Sequence, residues 1–249
     1  MKTLKTTLLL ALIACFTINF SQAQQRYQVH QDNVRPSSIA EYEKIAKEFV
    51  EACQKHNPQT SWVTASTSDL RYLYITPMEN FAELDDNVFS DMATAMGDDF
   101  GNMFSRFDKC YDSHSDYIVT LSESLTYMPE GASQAQEGEN HRKWYYIYYT
   151  PENGKEVYDA MKGIKDMFAE KGSKEYYRVY RSGFGSSENY LVVSISSKDE
   201  VDAATRSKAN NELLGESAGE IFGKLMGSIE RMEEYSGNMR PDLAYKPAE

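Results

Sequence analysis

The side chains from which reaction chemistry would have to be drawn are few in this 249-residue chain: four histidines, three cysteines and dispersed carboxylates. None of His30, His56, His114 and His141 stands at metal-ligand spacing from a cysteine or a second histidine, so the sequence assigns no metal ligand. His56 falls at the end of a helical pattern, where the dipole favours a cation. His114 and His141 fall in polar stretches and read as solvated. His30 lies on a strand, facing a possible cavity. There it offers a lone axial haem ligand or a general base, and a satisfied structural histidine is the plainer role. The chain has no nucleophile elbow, no Walker loop and no dinucleotide fingerprint, since Gly183-Phe184-Gly185 lacks the third glycine and the following helix. Asp85-Asp86 and Glu233-Glu234 read as solvated helix ends, and Asp98-Asp99 as a helical acidic pair. No catalytic residue is assigned, and the expectation leans away from an enzyme.

The elements that would position these residues begin after a leader. Lys2 and Lys5 precede an apolar run from Leu8 to Phe20, and Ser21-Gln22-Ala23 supplies small residues for a peptidase, so residues 1–23 are expected to be a signal peptide. Leu12-Ile13-Ala14-Cys15 offers the alternative of a lipid-anchored protein beginning at Cys15. Either way the expectation is export, to the periplasm or beyond, with no other transmembrane segment. The net charge is -12, and removing the two lysines of the leader leaves 24 basic against 38 acidic residues, or -14. Such a surface argues against nucleic acid or anionic lipid as a partner.

The chain contains an internal repeat. An offset of 118 residues aligns Tyr27 with Tyr145, Tyr72 with Tyr190, Gly97 with Gly215, Gly101 with Gly219, and Phe104 with Phe222. It also aligns Leu125, Tyr127 and Pro129 with Leu243, Tyr245 and Pro247. Residues 24–129 and 143–249 are therefore read as two copies of one unit, joined by a polar linker over 130–142. Each copy reads βαββαβ, the order of a ferredoxin-like unit. In the first, alternation marks a strand at 27–32, Pro36 and Ser38 begin a helix, and a hairpin turns at Thr67-Ser68-Asp69. A second helix carries Met92 to Phe107, and a strand runs over 117–127. In the second, a long helix is expected over 208–232 and a last strand over 242–246.

Element order and duplication together resemble a fused form of the dimeric α+β barrel superfamily, which includes antibiotic-biosynthesis-monooxygenase-like proteins, stress-responsive A/B barrels and haem-handling relatives. The resemblance implies an α+β fold of two tandem βαββαβ ferredoxin-like units closing into a pseudo-dimeric barrel. It allows a cofactor-independent monooxygenase or a haem-handling enzyme as an alternative function, and no signature motif accompanies it.

If helices cover one face of each sheet, alternation leaves the other to a lumen between the sheets. Val29, Val63, Leu73, Ile75, Val119, Leu121 and Ile147, with Tyr27 and Tyr145, are assigned to the helix side. His30, Trp62, Tyr72, Tyr74, Trp144, Tyr146, Tyr148, Arg178 and Tyr180 are assigned to the lumen as candidate ligand-binding residues, with Tyr176 and Tyr190 beside them. Aromatic walls with a few polar groups suit a small aromatic or apolar molecule, and the expected role is its non-catalytic binding. The alternative is a structural or interaction module whose rings simply fill the lumen.

Two further features complete the reading. Gly215, Gly219, Gly223 and Gly227 form a line along the last long helix, and each mid-helix glycine costs about 1 kcal/mol relative to alanine. The line predicts close backbone approach, either within the chain or across a homo-oligomer. Cys53 and Cys110 fall near the far ends of two antiparallel helices and are expected as free, buried thiols.

Overall fold

The computed structural model of the protein describes residues 25–129 and 137–248. Two βαββαβ passes follow one another. The first comprises β1 (Arg26–Val34), α1 (Ile39–His56), β2 (Val63–Thr67), β3 (Arg71–Met78), α2 (Ser90–Met96), α3 (Asp98–Phe107) and β4 (Tyr111–Leu121). The second comprises β5 (His141–Tyr148), α4 (Gly154–Lys171), β6 (Tyr177–Ser182), β7 (Tyr190–Ser197), α5 (Glu200–Leu214), α6 (Ser217–Ser228) and β8 (Arg231–Met239). All eight strands close into one barrel in the order β1-β3-β2-β8-β5-β7-β6-β4, each neighbour antiparallel. Each pass thus contributes a ferredoxin-like sheet, β4-β1-β3-β2 or β8-β5-β7-β6, and the sheets join at the β2–β8 and β4–β6 seams. This is the tandem α+β barrel that element order led one to expect. The expected signal peptide at 1–23 and residues 130–136 of the expected linker lie outside the described residues.

Local chemistry sets the element ends. Glu41 in the first turn of α1 and Lys55 and His56 in its last complement the helix dipole, and Asn57 closes it in the left-handed region with φ 50°. The expected second helices are each broken at a glycine: Gly97 (φ 57°) divides α2 from α3, and Gly215 (φ 65°) divides α5 from α6. The last strand also differs from expectation. It begins at Arg231, while residues 242–246 follow it, with a 3₁₀ turn at Pro241–Leu243 and a single bridge at Tyr245. The reason is visible in β8 itself, which has no fully buried residue and carries Arg231, Glu233 and Glu234, and so lacks the apolar alternation that marks a strand. Similarly, β4 begins at Tyr111, because its first half is polar on both faces.

A methyl group placed on Gly101, Gly219, Gly223 or Gly227 meets no neighbour within 4 Å, so the glycine line packs against nothing in the described chain. Gly215 is explained by its positive φ instead. Gly237 is the position where backbones do meet: a Cβ there would lie 2.0 Å from the Ser66 carbonyl oxygen, across the β2–β8 seam.

The assignment of faces holds in the second pass and inverts in the first. Ile147, Val179, Leu191 and Val193 pack under α4 and α6, and Trp144, Tyr146, Tyr148, Tyr180 and Tyr190 turn into the lumen. In the first pass, however, Tyr27, Val29, Leu73, Ile75 and Val119 occupy the lumen, while Trp62, Tyr72 and Tyr74 lie under the helices. Tyr176 packs on the helix side too. Both faces of a strand in this barrel are covered, so apolarity alone does not distinguish them, and one residue of slip turns a strand over. The helix breaks and the Leu125/Leu243 and Tyr127/Tyr245 pairs keep the 118-residue correspondence, whereas Tyr72 and Tyr190 fall on opposite faces.

The segments that follow the last strand of each pass are exchanged. Tyr127 bridges to Tyr177 at the start of β6, and Leu125 is buried in the core beneath α4. Reciprocally, Tyr245 bridges to Trp62, and Leu243 is buried against Tyr42 and Ile45 of α1. The indole N–H of Trp62 and the hydroxyl of Thr64 both donate to the Leu243 carbonyl, at 2.9 and 2.8 Å. Cys53 and Cys110 are free and buried in the first pass.

Candidate functional site

The candidate residues separate into two places. Trp144, Tyr146, Tyr148 and Tyr180 stand in the lumen, and Arg178 shares the face of Tyr180. Their rings are packed against one another and against first-pass residues, with centroids 5.5 Å apart for Tyr146–Tyr190, 5.6 Å for Tyr146–Tyr235 and 5.8 Å for Tyr27–Tyr180. Arg71, which sequence reasoning missed, lies over the Tyr235 ring at 3.8 Å and pairs with Asp69. The rings thus pack against one another between the sheets. His30, Trp62 and Tyr74 stand elsewhere, around a cavity on the outer face of the first sheet. Tyr72 is near them but donates to Glu43 at 2.6 Å on α1.

This cavity, of about 890 Å³, lies between the first sheet and its helices. Tyr42 and Phe49 of α1, Trp62, Tyr74, Phe89 and Phe104 supply aromatic walls. Five carboxylates, those of Asp32, Glu83, Asp86, Asp108 and Asp116, also line it, and no lysine or arginine does so among the described residues.

The floor is built by cross-strand pairing. On β1 the alternate residues His30 and Asp32 face outward, and antiparallel β4 places Asp116 opposite His30 and His114 opposite Asp32. Directly paired side chains on one sheet face are neighbours, so two histidines and two aspartates form a checkerboard. β3 adds Tyr74 opposite His30. His30 Nδ1 is 2.9 Å from Asp116 Oδ1, and its Nε2 is 3.2 Å from Asp32 Oδ1. From α1 the hydroxyl of Tyr42 donates to Asp32 Oδ2 at 2.6 Å and meets the Tyr74 hydroxyl at 2.9 Å. The ring of His114 stands edge-on to His30 at 5.6 Å and stacks on Tyr111 at 5.5 Å.

The electrostatics follow from that geometry. Burial works against a charge on His30, but hydrogen bonding and attraction from Asp32 and then Asp116 outweigh it, raising its pKa to about 9. His30 therefore carries its proton at neutral pH. The Tyr42 phenol is held far above its ordinary value by burial, reinforced by Tyr74 and Asp32, and remains a donor. Asp32 is 4% exposed, and its Oδ1, though near His30, makes no hydrogen bond of good geometry. The floor, with two carboxylates around His30, can hold a cation.

Sequence reasoning assigned His30 to the lumen, whereas it faces this helix-side cavity, and it missed Tyr42, Asp116 and the cavity itself; it read His114 as solvated, and His114 is exposed, though on β4. A signal was present: His30-Gln31-Asp32 and His114-Ser115-Asp116 repeat one His-x-Asp spacing on two strands that a βαββαβ unit sets side by side.

No protein-family model matches the sequence, and no curated protein matches it. Solved structures do. An anthrone oxidase-like protein superposes with a TM-score of 0.58 at 10% identity, covering 87% of this chain and 92% of its own. A variant of chlorite dismutase from Candidatus Nitrospira defluvii gives 0.53 at 10% identity, with 87% and 92% covered. A proposed monooxygenase from Lactobacillus acidophilus NCFM gives 0.52 at 8% identity, with 90% and 96% covered. At such identities the likeness is one of fold, and it extends over nearly the whole described chain.

Proposed function

We propose that the protein binds a small molecule with an aromatic or apolar body and a neutral or cationic polar group, in the cavity between the first sheet and its helices. The observation that carries this reading is the lining: aromatic walls and five carboxylates, with no lysine or arginine among the described residues. The volume suits a drug-sized ligand, and a cation over such rings gains roughly 0.5–2 kcal/mol. The packed rings between the sheets favour the outer cavity over the lumen as the place of binding.

Haem, which the fold resemblance allows, does not fit this lining. Its two propionates would meet five carboxylates and no basic side chain, and both nitrogens of His30 are turned to carboxylates of the same sheet face. Oxygenation of the bound molecule without a cofactor is the second reading. It is supported by the ionisable floor and by likeness in fold to an anthrone oxidase-like protein and a proposed monooxygenase.

Trp62 lines the cavity and Trp144 does not, so a Trp144→Phe variant leaves a reporter at the site. Aromatic amines and uncharged arenes are expected to change Trp62 fluorescence saturably and to raise the melting temperature, and aromatic carboxylates to do neither. Gln28→Phe, which narrows the cavity, should abolish both responses. A panel in which nothing binds, or in which carboxylates bind as well as amines, overturns the proposal. Oxygen uptake on adding a ligand that binds separates turnover from binding alone.

A further inference from the structure

The checkerboard on the cavity floor has the parts of a metal centre. His30, Asp32 and His114 each offer one ligand atom, and these atoms lie within 4.8 Å of one another. For bonds of about 2.0–2.2 Å, two ligand atoms held at right angles by a common ion are about 3 Å apart. His30 Nε2 and Asp32 Oδ1 are 3.2 Å apart, which is already that spacing. His114 is exposed at the rim, so a turn of its side chain completes the set.

The groups behind these atoms make the case stronger than proximity does. A metal-binding histidine ordinarily gives its second nitrogen to a carboxylate or carbonyl, which fixes the ring. Here Asp116 takes Nδ1 of His30 at 2.9 Å, leaving Nε2 toward Asp32. Tyr42 donates to Asp32 Oδ2 at 2.6 Å, leaving Oδ1 buried, without a well-formed hydrogen bond and turned to the same point. A histidine pinned from behind, a carboxylate pinned from behind and two inner atoms at ligand spacing are independent observations that converge on one position.

We propose that His30 Nε2, Asp32 Oδ1 and His114 bind one divalent first-row transition-metal ion, of the iron-to-zinc series, at the floor of this cavity. Two imidazoles with one carboxylate favour such an ion over magnesium or calcium, which prefer oxygen. His30 gives up its proton to bind, as every imidazole ligand must. Three protein ligands leave coordination positions open toward the cavity, where a donor atom of a bound molecule would complete the sphere. The site requires no organic ligand, so its test is separate from that of the binding proposal.

The test uses tag-free, chelator-stripped protein lacking the leader, titrated with Zn(II) and Co(II) by calorimetry and, for cobalt, by visible absorption. The expected result is one ion per chain with a Kd of about 1 µM or tighter, and no comparable binding of Mg(II). His114→Ala, at an exposed position that does not threaten folding, should weaken binding at least tenfold and change the cobalt spectrum. Asp116→Asn, which would not touch the ion, should weaken it by about 10- to 100-fold, with circular dichroism and melting temperature confirming that both variants fold. A wild-type protein that binds no ion, or variants that fold and bind as tightly as wild type, would show an ordinary His–Asp ion pair and overturn the proposal.

Discussion

At the scale of single residues, Tyr42 governs the floor. It holds a carboxylate that folding has taken out of water, since Asp32 is 4% exposed. Leaving a buried acceptor unpaired costs about 1–3 kcal/mol, so Tyr42→Phe should lower the urea-unfolding free energy by an amount of that order. Tyr74→Phe, whose hydroxyl meets Tyr42 alone among the hydrogen bonds of the cluster, should cost less. Equal losses in the two variants would mean that the Tyr42–Asp32 bond is not the stronger link. His30 was legible as a strand residue because β1 alternates, but its face was not: it was assigned to the lumen and lies on the helix side. His114 was not, because Tyr111 to Asp116 is polar at nearly every position, and a strand polar on both faces looks like a loop.

At the scale of elements, the glycines of α6 and the glycine that precedes it do different work. Gly219 and Gly223 sit in helix with open space beside them. Gly219→Ala should therefore stabilise the protein, by up to about 1 kcal/mol, through helix propensity and a less flexible unfolded chain. Gly215 has φ 65°, so alanine there should destabilise by about 1 kcal/mol or more. Calorimetric melting of the two single variants should show shifts of opposite sign. If Gly219→Ala instead lowered both stability and molecular mass in solution, the glycine line would be a contact between copies of the chain. The recurrence of glycine every four residues was read correctly as helical for Gly219, Gly223 and Gly227 but not for Gly215, where a helix ends, because spacing carries no information about the sign of φ. The faces of the strands were legible in the second pass because its helix-side positions are aliphatic and its lumen positions aromatic. The first pass places aliphatic residues in the lumen and polar ones beneath its helices, which inverts the usual cue.

At the scale of the whole molecule, the two passes are held together at two strand seams and by the exchanged segments. The segment after β8 is also clamped electrostatically: Arg240 bonds to Glu43 of α1 and, at 2.8–2.9 Å, to Asp242, with Lys47 of α1 also 3.5 Å from Asp242. The guanidinium of Arg240 holds both carboxyls below their ordinary values, through hydrogen bonds in each case. A lowered folded-state pKa means that the stabilisation is complete above the unfolded-state values, about 4.3 for Glu and 3.9 for Asp, and is lost as pH falls through the folded-state values. Amide protection near residues 240–246, measured relative to the intrinsic exchange rate at each pH, should fall below about pH 4 in the wild type. In Glu43→Gln the remaining acid response should come from Asp242 alone; an unchanged profile would remove Glu43 from the clamp. The duplication made the two-unit plan legible, because its strongest matches, at Leu125/Leu243 and Tyr127/Tyr245, are the residues that cross over. That they cross was not legible, since an offset says which residues correspond and nothing about whose core they enter. The exchange also orders events in time. Leu243 and Pro247 contribute to the wall of the first-pass cavity, yet they leave the ribosome some two hundred residues after His30. The site therefore cannot be completed before Leu243 and Pro247 have been delivered, and a product cut ahead of them lacks part of its cavity wall.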